Sequence, residues 1–262
     1  MSDTMDFDAN ASRQAEVMYL TPDLTEVRRR TIEALRLTPG ARVLDVGSGP
    51  GLFADEMAQT VGPTGFVHGV DLSESMIGLA RARCADKPWV DFQIADAVSL
   101  PFEDGGFDAC VSVQTLEFVA DVDAALREIH RVLKPGGRLA VSDADWGATT
   151  WRCEDTALCE RVMNGWLAGF AHLRLPLTLK SRIGAAGFVD ASAHAIPILN
   201  TACEPESFSF QFIRQLQGVV PARTNLTQEE VDAWASELRG LDERGAYFFS
   251  QTRYLFSADK PC

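Results

Sequence analysis

Residues 43–51 read VLDVGSGPG, an apolar stretch that runs directly into three alternate glycines, Gly47, Gly49 and Gly51. The apolar and β-branched residues before the glycines favour a short buried strand. Glycine accepts backbone conformations closed to other residues and lets a ligand approach the main chain. A helix that begins behind such a turn directs its first N–H groups at the bound ligand. The stretch therefore predicts a strand, a ligand-binding turn and a helix.

The glycine spacing separates this turn from the dinucleotide-binding fingerprint G-x-G-x-x-G. Counted from Gly47, the third glycine of the fingerprint would fall at position 52, which is Leu52. Glycine is needed there for close packing of the helix against the strand. We also find no catalytic tyrosine–lysine pair on one helix. A nicotinamide-dependent oxidoreductase is therefore the less favoured alternative.

The region from Ala41 to Ser142 alternates short apolar runs with helical segments, the order that builds a parallel sheet with helices on both faces. The runs predict strands over residues 43–46, 66–70, 90–95, 107–113 and 138–142. A helix that starts after Asp121 and runs through Leu133 should stop at Lys134, because Pro135-Gly136-Gly137 cannot continue it. We expect an α/β, Rossmann-like, doubly wound sheet.

The two ends of the chain carry weaker patterns. Residues 1–40 contain apolar residues at mostly helical intervals and predict a helical N-terminal lid over a domain at 41–262. A substrate-side insertion is expected over about 144–225, with a helix near 154–173. Strands are expected around 188–198 and 247–257. Thr227 and Glu230 form a capping box that should open a further helix.

VLDVGSGPG resembles motif I of the class I S-adenosylmethionine-dependent methyltransferases, and the later motifs of that family follow in order from roughly Leu37 to Asp143. The resemblance implies a seven-stranded, mostly parallel sheet with an antiparallel last strand, and S-adenosylmethionine as the cofactor. Within the family the chain is most similar to the ubiquinone/menaquinone C-methyltransferase-like group of small-molecule methyltransferases. Relatives commonly read LEHV where residues 116–119 read LEFV, so no histidine is carried over at that position.

The resemblance also implies which residues bind the cofactor. Asp71 matches the acidic residue that accepts hydrogen bonds from both ribose hydroxyls, a task that suits the two oxygens of a carboxylate. Asp96 resembles the residue that pairs with the adenine amino group, and Met76 would pack on the adenine face. The cofactor-binding residues expected in this way are Tyr19, Asp45, Gly47, Ser48, Gly49, Gly51, Asp71, Leu72, Met76, Asp96, Ala97, Gln114 and Thr115.

The expected reaction is an in-line displacement at a methyl group that is already activated on a sulfonium. The protein then mainly aligns the acceptor and excludes water, so no catalytic residue is strictly required. Weak candidates for a general base are Glu117, Asp143, Asp145 and His172. Aromatic residues that could line the acceptor site are Tyr19, Phe118, Trp146, Trp151, Trp166 and Phe170. Carbon, nitrogen, oxygen and sulfur all stay open as the acceptor atom.

The composition bears on partners and compartment. A net charge of −13 would repel a phosphate backbone or an anionic membrane, and no apolar run approaches a membrane span. We expect a cytoplasmic monomer or homodimer whose six cysteines are free thiols. Arsenite methyltransferases share this core and bind arsenic through thiolates, so Cys153, Cys159 and Cys203 are kept as an unfavoured alternative. No other metal site is predicted.

Three functions from different classes were weighed. The favoured one is methyl transfer to a small molecule of natural-product, quinone, phenol or thiol type. A protein that binds the cofactor without turnover is the second, and the oxidoreductase is the third. The intact cofactor-binding motifs favour an active enzyme, and the binding protein without turnover stays an alternative.

Overall fold

The computed structural model describes residues 16–262, and within them one eight-stranded sheet organises the chain. Its strand order is β3-β2-β1-β4-β5-β8-β6, with β7 paired to the other edge of β8. The strands are β1 (Arg42–Val46), β2 (Phe66–Asp71), β3 (Val90–Ile94), β4 (Phe107–Val113), β5 (Leu133–Ala144), β6 (Thr150–Trp151), β7 (Val189–Asn200) and β8 (Phe249–Asp259).

The helices of the described chain fill the connections between these strands. The helices are α1 (Pro22–Leu35), α2 (Leu52–Val61), α3 (Glu74–Arg83), α4 (Val122–Val132), α5 (Thr156–Leu167), α6 (Pro176–Ala185), α7 (Phe208–Arg223) and α8 (Gln228–Glu243). A helical turn at 16–19 precedes α1. Short 3₁₀ turns lie at Leu116–Phe118 and Trp146–Ala148.

The sheet is covered on both faces, which is why β1 is apolar at consecutive positions. Val43 packs in the core on one face with Met57 of α2 and Ile77 of α3. Leu44 packs on the other face with Ile129 of α4. Alternate side chains of one strand thus enter two cores, as expected for a doubly wound sheet.

The antiparallel last strand is confirmed. Strand β8 runs antiparallel to β5 from the pair Arg138–Asp259 to the pair Ala144–Arg253. The sheet has eight strands where seven were predicted, because the two-residue β6 continues along the edge of β8 that β5 has left, beginning with Thr150 opposite Ser250.

The helix α4 ends one residue earlier than predicted, and β5 begins five residues before the predicted start at Arg138. The helix ends at Val132, and the strand already begins at Leu133. The Lys260 ammonium donates to the carbonyls of His130 and Leu133, both at 2.7 Å, so the last turn of the helix is capped from β8.

Two helices were missed and one pair of cysteines was misjudged. Nothing in the sequence analysis predicts α6 or α7, although α7 buries Phe208, Phe212 and Leu216 at helical spacing. The expectation of six free thiols is wrong for Cys153 and Cys159, which form a disulfide across the start of α5.

Candidate functional site

A cavity of about 690 Å³ lies beyond the carboxyl ends of β1, β2, β3 and β4. Open α/β sheets bind their ligands at this edge. Residues Met18 and Tyr19 of the N-terminal turn and Arg28 of α1 form one wall. Trp166 of α5 and Gln215 of α7 form another, so segments from before β1 and from after β5 meet over the strand ends.

The glycine turn after β1 forms the floor of the cavity. Gly47, Gly49 and Gly51 have φ angles of +77°, +50° and +80°. A Cβ atom on Gly47 would overlap the Thr115 side chain, and one on Gly51 would lie 2.9 Å from Ala80. A Cβ on Gly49 would meet nothing within 4 Å. Gly47 and Gly49 line the cavity, whereas Gly51 does not and instead allows α3 to pack closely.

Asp71 fixes the shape of this turn. Its Oδ2 accepts the N–H of Gly49 and its Oδ1 accepts the N–H of Ser73, both at 2.9 Å. Burial raises the pKa of this carboxyl, whereas the backbone N–H donors lower it. The carboxylate lines the cavity, and each oxygen keeps a further lone pair for a ligand hydroxyl.

Polar atoms without partners mark the floor as a binding surface. Among the described residues, Ser48 Oγ and Gln114 Nε2 belong to residues that line the cavity, are buried and form no hydrogen bond. Buried polar groups are normally paired, so these atoms suit a polar ligand. Asp45 lies beneath the turn and off the cavity wall, and its burial beside Asp71 raises its pKa to about 8.

The residues expected at the adenine end lie together along one side of the cavity. Leu72, Met76, Asp96 and Ala97 all line it. Met76 and Ala97 are buried, and Leu72 is exposed at the rim. Asp96 accepts the N–H of Val98 at 3.1 Å through Oδ1, which orients its carboxylate.

Gln114 and Thr115 connect this half of the cavity to the other. Gln114 has a φ of +52°, a conformation that costs energy in a non-glycine residue. Its Oε1 accepts a hydrogen bond from the Arg253 guanidinium. The Thr115 hydroxyl donates to the carbonyl of Val113 at 3.0 Å.

The second half of the cavity is aromatic. Phe118 and Phe170 have ring centroids 4.5 Å apart, and Trp146 lies 5.0 Å from Phe170 and 5.8 Å from Trp166. All four rings line the cavity. Such a surface suits a planar, largely apolar acceptor.

Some expected residues lie elsewhere. Trp151 stacks on Phe212 and donates to the Tyr247 hydroxyl at 3.0 Å, outside the cavity wall. His172 contacts the carbonyl of Val119 at 3.1 Å and is also outside it. Asp145 forms an ion pair with Arg174.

Glu117 and Asp143 are fully buried next to each other. The Glu117 carboxylate lines the cavity and accepts the indole N–H of Trp146 at 2.9 Å. Burial, together with the neighbouring Asp143, raises its pKa well above the ordinary value. Burial also raises the pKa of Asp143, to about 7.

The wall residues that the sequence analysis missed include three with long polar side chains, Arg28, Gln215 and Arg253. The available signal was an arginine within the apolar run of β8, and another at a core-facing position of α1. Arg28 is 5% exposed and Arg253 only 1%, which is rare for arginine unless it serves a ligand or an ion pair.

Metal sites and membrane-spanning helices can be searched for within residues 16–262. No group of three His, Cys, Asp or Glu side chains there could hold a metal ion, so the three-thiolate arsenic alternative finds no support. No helix in the same range is both long and apolar enough to cross a membrane.

Comparison with known proteins gives a consistent match. Residues 44–141 match a family described as a methyltransferase domain. The ubiquinone/menaquinone biosynthesis C-methyltransferase of Ectopseudomonas mendocina is 44% identical over 117 residues, which cover 44% of this chain and 46% of that protein. The chain thus matches less than half the length of that relative.

Solved structures extend the likeness to the whole fold. Phosphoethanolamine N-methyltransferase 2 of Haemonchus contortus, in complex with S-adenosyl-L-methionine, aligns over 97% of this chain and 58% of its own with a TM-score of 0.66 and 20% identity. A structure described as the [4+2]-cyclase SpnF aligns over 90% of this chain and 81% of its own with a TM-score of 0.61 and 26% identity.

Proposed function

We propose that the chain transfers a methyl group from S-adenosylmethionine to a small-molecule acceptor, a function that the match of residues 44–141 to a methyltransferase domain supports. The observation that carries this proposal is one continuous cavity with two chemically different halves. One half has the glycine turn, Asp71 and orphaned polar atoms, and the other is an aromatic box.

The residues present fit the cofactor. Gly49 leaves open space over the turn, and Ser48 Oγ and Gln114 Nε2 have no partner among the described residues. Asp71 offers lone pairs on both carboxylate oxygens to a vicinal diol. Met76 and Asp96 stand where an adenine ring would lie, by the family resemblance.

The chain's own part in the reaction is alignment and exclusion of water. When bound, S-adenosylmethionine supplies a methyl group activated on a sulfonium. Trp146, Trp166 and Phe170 hold a planar acceptor opposite the turn, and Tyr19 closes the wall between the two halves. Orientation of this kind can contribute about 7–11 kcal/mol to lowering the barrier.

A second candidate function is supported by one comparison. The SpnF structure is described as a [4+2]-cyclase and shares 26% identity with this chain. The same cavity could therefore bind S-adenosylmethionine and shape an apolar substrate without methyl transfer. Detection of a methylated product would support methyl transfer and contradict the second candidate.

We also propose a cytoplasmic protein that acts as a monomer or homodimer and does not act on nucleic acid. The net charge of −13 supports the last point, since it opposes a phosphate backbone. Residues 1–40 act as a lid in this proposal. Residues 1–15 lie outside the part of the chain that the structure describes, and Tyr19 and Arg28 of the described part line the cavity.

The test is calorimetric titration with S-adenosylmethionine and S-adenosylhomocysteine, with Asp71→Ala as the variant and the exposed Asp91→Ala as its control. We expect saturable binding in the wild type and the control, and none in Asp71→Ala. Mass spectrometry with phenols, thiols, amines and quinones then detects the methylated product. A folded wild-type protein that binds neither compound would contradict the proposal, whereas binding without any methylated product would favour the second candidate.

A further inference from the structure

Arg253 lies inside the cavity in a position that the methyl transfer described so far does not use. It is 1% exposed and belongs to β8, opposite the end of β5. Its guanidinium donates to Gln114 Oε1 and lies 5.4 Å from the centre of the Trp146 ring and 5.2 Å from that of Phe208. The cation is thus held in place by an amide oxygen and by two aromatic faces.

Arg253 differs from the other cation on the cavity wall. Arg28 forms an ion pair with Glu56 at 2.8 Å and also donates to the carbonyl of Tyr19. No acidic side chain in the described part of the chain lies within salt-bridge distance of Arg253, and its Nε has no hydrogen-bond partner there. A buried cation with an unpaired hydrogen-bond donor lowers the stability of the fold unless a ligand or another group accepts that hydrogen bond.

The acidic groups near Arg253 only partly neutralise it. Glu117 and Asp143 interact electrostatically with Arg253, but burial raises the pKa of both carboxyls. Tyr19 also faces Arg253, and burial raises the pKa of its hydroxyl to about 12. At neutral pH Tyr19 and Glu117 therefore favour their protonated forms, whereas Asp143, whose pKa is about 7, is partly ionised near the Arg253 cation.

We propose that the acceptor carries an ionised oxygen on a planar ring, as a phenolate or enolate does, and that Arg253 binds this oxygen. The inference rests on the proposed methyl transfer and names the substrate class of the same cavity. Charge complementarity to Arg253 selects the anion, and the box of Phe118, Trp146, Trp166 and Phe170 selects the ring. A protonated Glu117 would add a second donor beside the oxygen.

The chemistry balances without a protein base. The acceptor loses its proton to solvent before it binds, and an electron pair of the phenolate then forms the bond to the methyl carbon. The bond between that carbon and sulfur breaks, and its electrons stay on sulfur as a neutral thioether. Attack through oxygen gives a neutral methyl ether, which no longer attracts Arg253 and is released. Attack through the adjacent ring carbon would in addition release the ring proton to water.

The test uses three small probes of similar shape: 4-nitrophenol, 4-nitrobenzoate and nitrobenzene. Binding is followed by quenching of tryptophan fluorescence in the full chain saturated with S-adenosylhomocysteine, since Trp146 and Trp166 line the cavity. The visible absorbance of 4-nitrophenol additionally shows whether the bound molecule is ionised. The variants are Arg253→Gln and Arg253→Lys, with the exposed Arg214→Gln as the matched control.

We expect the wild type and Arg214→Gln to bind 4-nitrophenolate most tightly and to lower the pKa of the bound phenol. Arg253→Gln should weaken phenolate binding by about tenfold to a hundredfold, the size of one charged hydrogen bond, and leave nitrobenzene binding unchanged. Arg253→Lys should recover part of the loss because it keeps the charge.

The inference is overturned if nitrobenzene or 4-nitrobenzoate binds the wild type more tightly than 4-nitrophenolate does. It is also overturned if Arg253→Gln weakens all three probes equally, since that result indicates a structural residue. If Arg253→Gln does not fold, the ionisation state of bound 4-nitrophenol in the wild type and in Arg253→Lys decides. Binding of S-adenosylhomocysteine is measured in the same samples, so its loss contradicts the proposed function, whereas its presence without phenolate preference contradicts only this inference.

Discussion

Gly47 and Gly49 share a left-handed backbone but differ in the space around their Cα atoms. A methyl group on Gly47 would overlap Thr115, whereas one on Gly49 would project into open cavity. We expect Gly47→Ala to lower the free energy of unfolding by more than about 2 kcal/mol, since it combines overpacking with backbone strain. Gly49→Ala should lower it by only about 1 kcal/mol.

Substitution of Gly49 should affect cofactor affinity much more than stability. The alanine methyl group there would occupy space intended for the ligand, so Gly49→Ala should fold and yet bind S-adenosylhomocysteine at least about tenfold more weakly. Urea unfolding and calorimetry measure the two effects separately. Equal destabilisation by both alanines, with unchanged affinity in Gly49→Ala, would refute this interpretation of the turn.

Asp45 predicts a pH dependence of stability. Its pKa is raised to about 8 by burial, with Asp71 as the second cause, while an unfolded aspartate titrates near about 4. Between these values the folded chain binds a proton that the unfolded chain does not, so the free energy of unfolding falls as pH rises through this window. The favourable contribution is complete below about pH 4 and lost near pH 8.

Asp45→Asn should flatten that dependence. We expect the difference in urea-unfolding free energy between pH 5 and pH 8 to shrink in Asp45→Asn, and to stay at its wild-type size in the exposed control Asp91→Asn. Asp143 also has a raised pKa, so the slope should shrink without vanishing. A slope identical to that of the wild type would show that Asp45 is not the proton-binding group.

Single residues show which parts of the candidate site local sequence motifs can indicate and which they cannot. Asp71 and Gly49 were predicted as binding residues, and the hydrogen bond between them was not needed to find them, since each belongs to a local motif of its own. Arg253 could not be found in that way. Its partner Gln114 is 139 residues away, and no local pattern reports a contact made only by the folded sheet.

At the scale of elements, the buried Arg28 side chain of α1 joins this helix to α2 and to the N-terminal turn. Arg28 donates to Glu56 of α2, to the Tyr19 carbonyl and to the Thr25 hydroxyl. Arg28→Gln should therefore loosen the wall that contains Tyr19. We expect an unfolding free energy lower by about 1–3 kcal/mol and an affinity for S-adenosylhomocysteine reduced roughly tenfold.

Arg30 on the same helix provides the control. It is exposed and pairs with Glu26 one turn away, at 2.7 Å. Arg30→Gln should change stability by less than about 0.5 kcal/mol and leave affinity unchanged. Hydrogen exchange over residues 16–35 should speed up in Arg28→Gln alone. Equal exchange in both variants would mean that the lid is held by its apolar face.

The elements themselves were predictable to different degrees. Strands β1 to β4 were predicted within one residue at each end, because strands buried on both faces read as continuous apolar runs. Helix α7 was not predicted, although its buried face repeats at helical spacing. Phe, Ser and Val in that stretch have low helix preference and Pro221 lies inside the helix, so packing on Trp166 and Trp151 contributes to its stability.

At the scale of the whole molecule, the order of the strands places the site. The chain folds back so that β8 inserts between β5 and β7, which brings Arg253 to the end of the sheet where the β1 turn lies. The family resemblance implied the antiparallel last strand, and composition alone did not. The lining of the second half depends on α5, α7 and β8, whose sequences lie outside the matched residues 44–141.

Because the cavity is lined by residues from α1 to β8, occupancy of the cofactor half should stabilise the entire domain. A ligand that binds only the folded state adds about 2.7 kcal/mol at a hundredfold excess over its Kd. For a chain of 262 residues this corresponds to an increase in Tm of roughly 5–10 °C. S-adenosylhomocysteine at that excess should produce this shift in the wild type and none in Asp71→Ala. Since one cooperative unit is expected, the whole thermal unfolding transition should shift to the higher temperature. A second unfolding transition whose Tm does not change with ligand would show that α7, α8 and β8 unfold independently of the glycine turn. The continuous cavity would then lie between two separately stable parts.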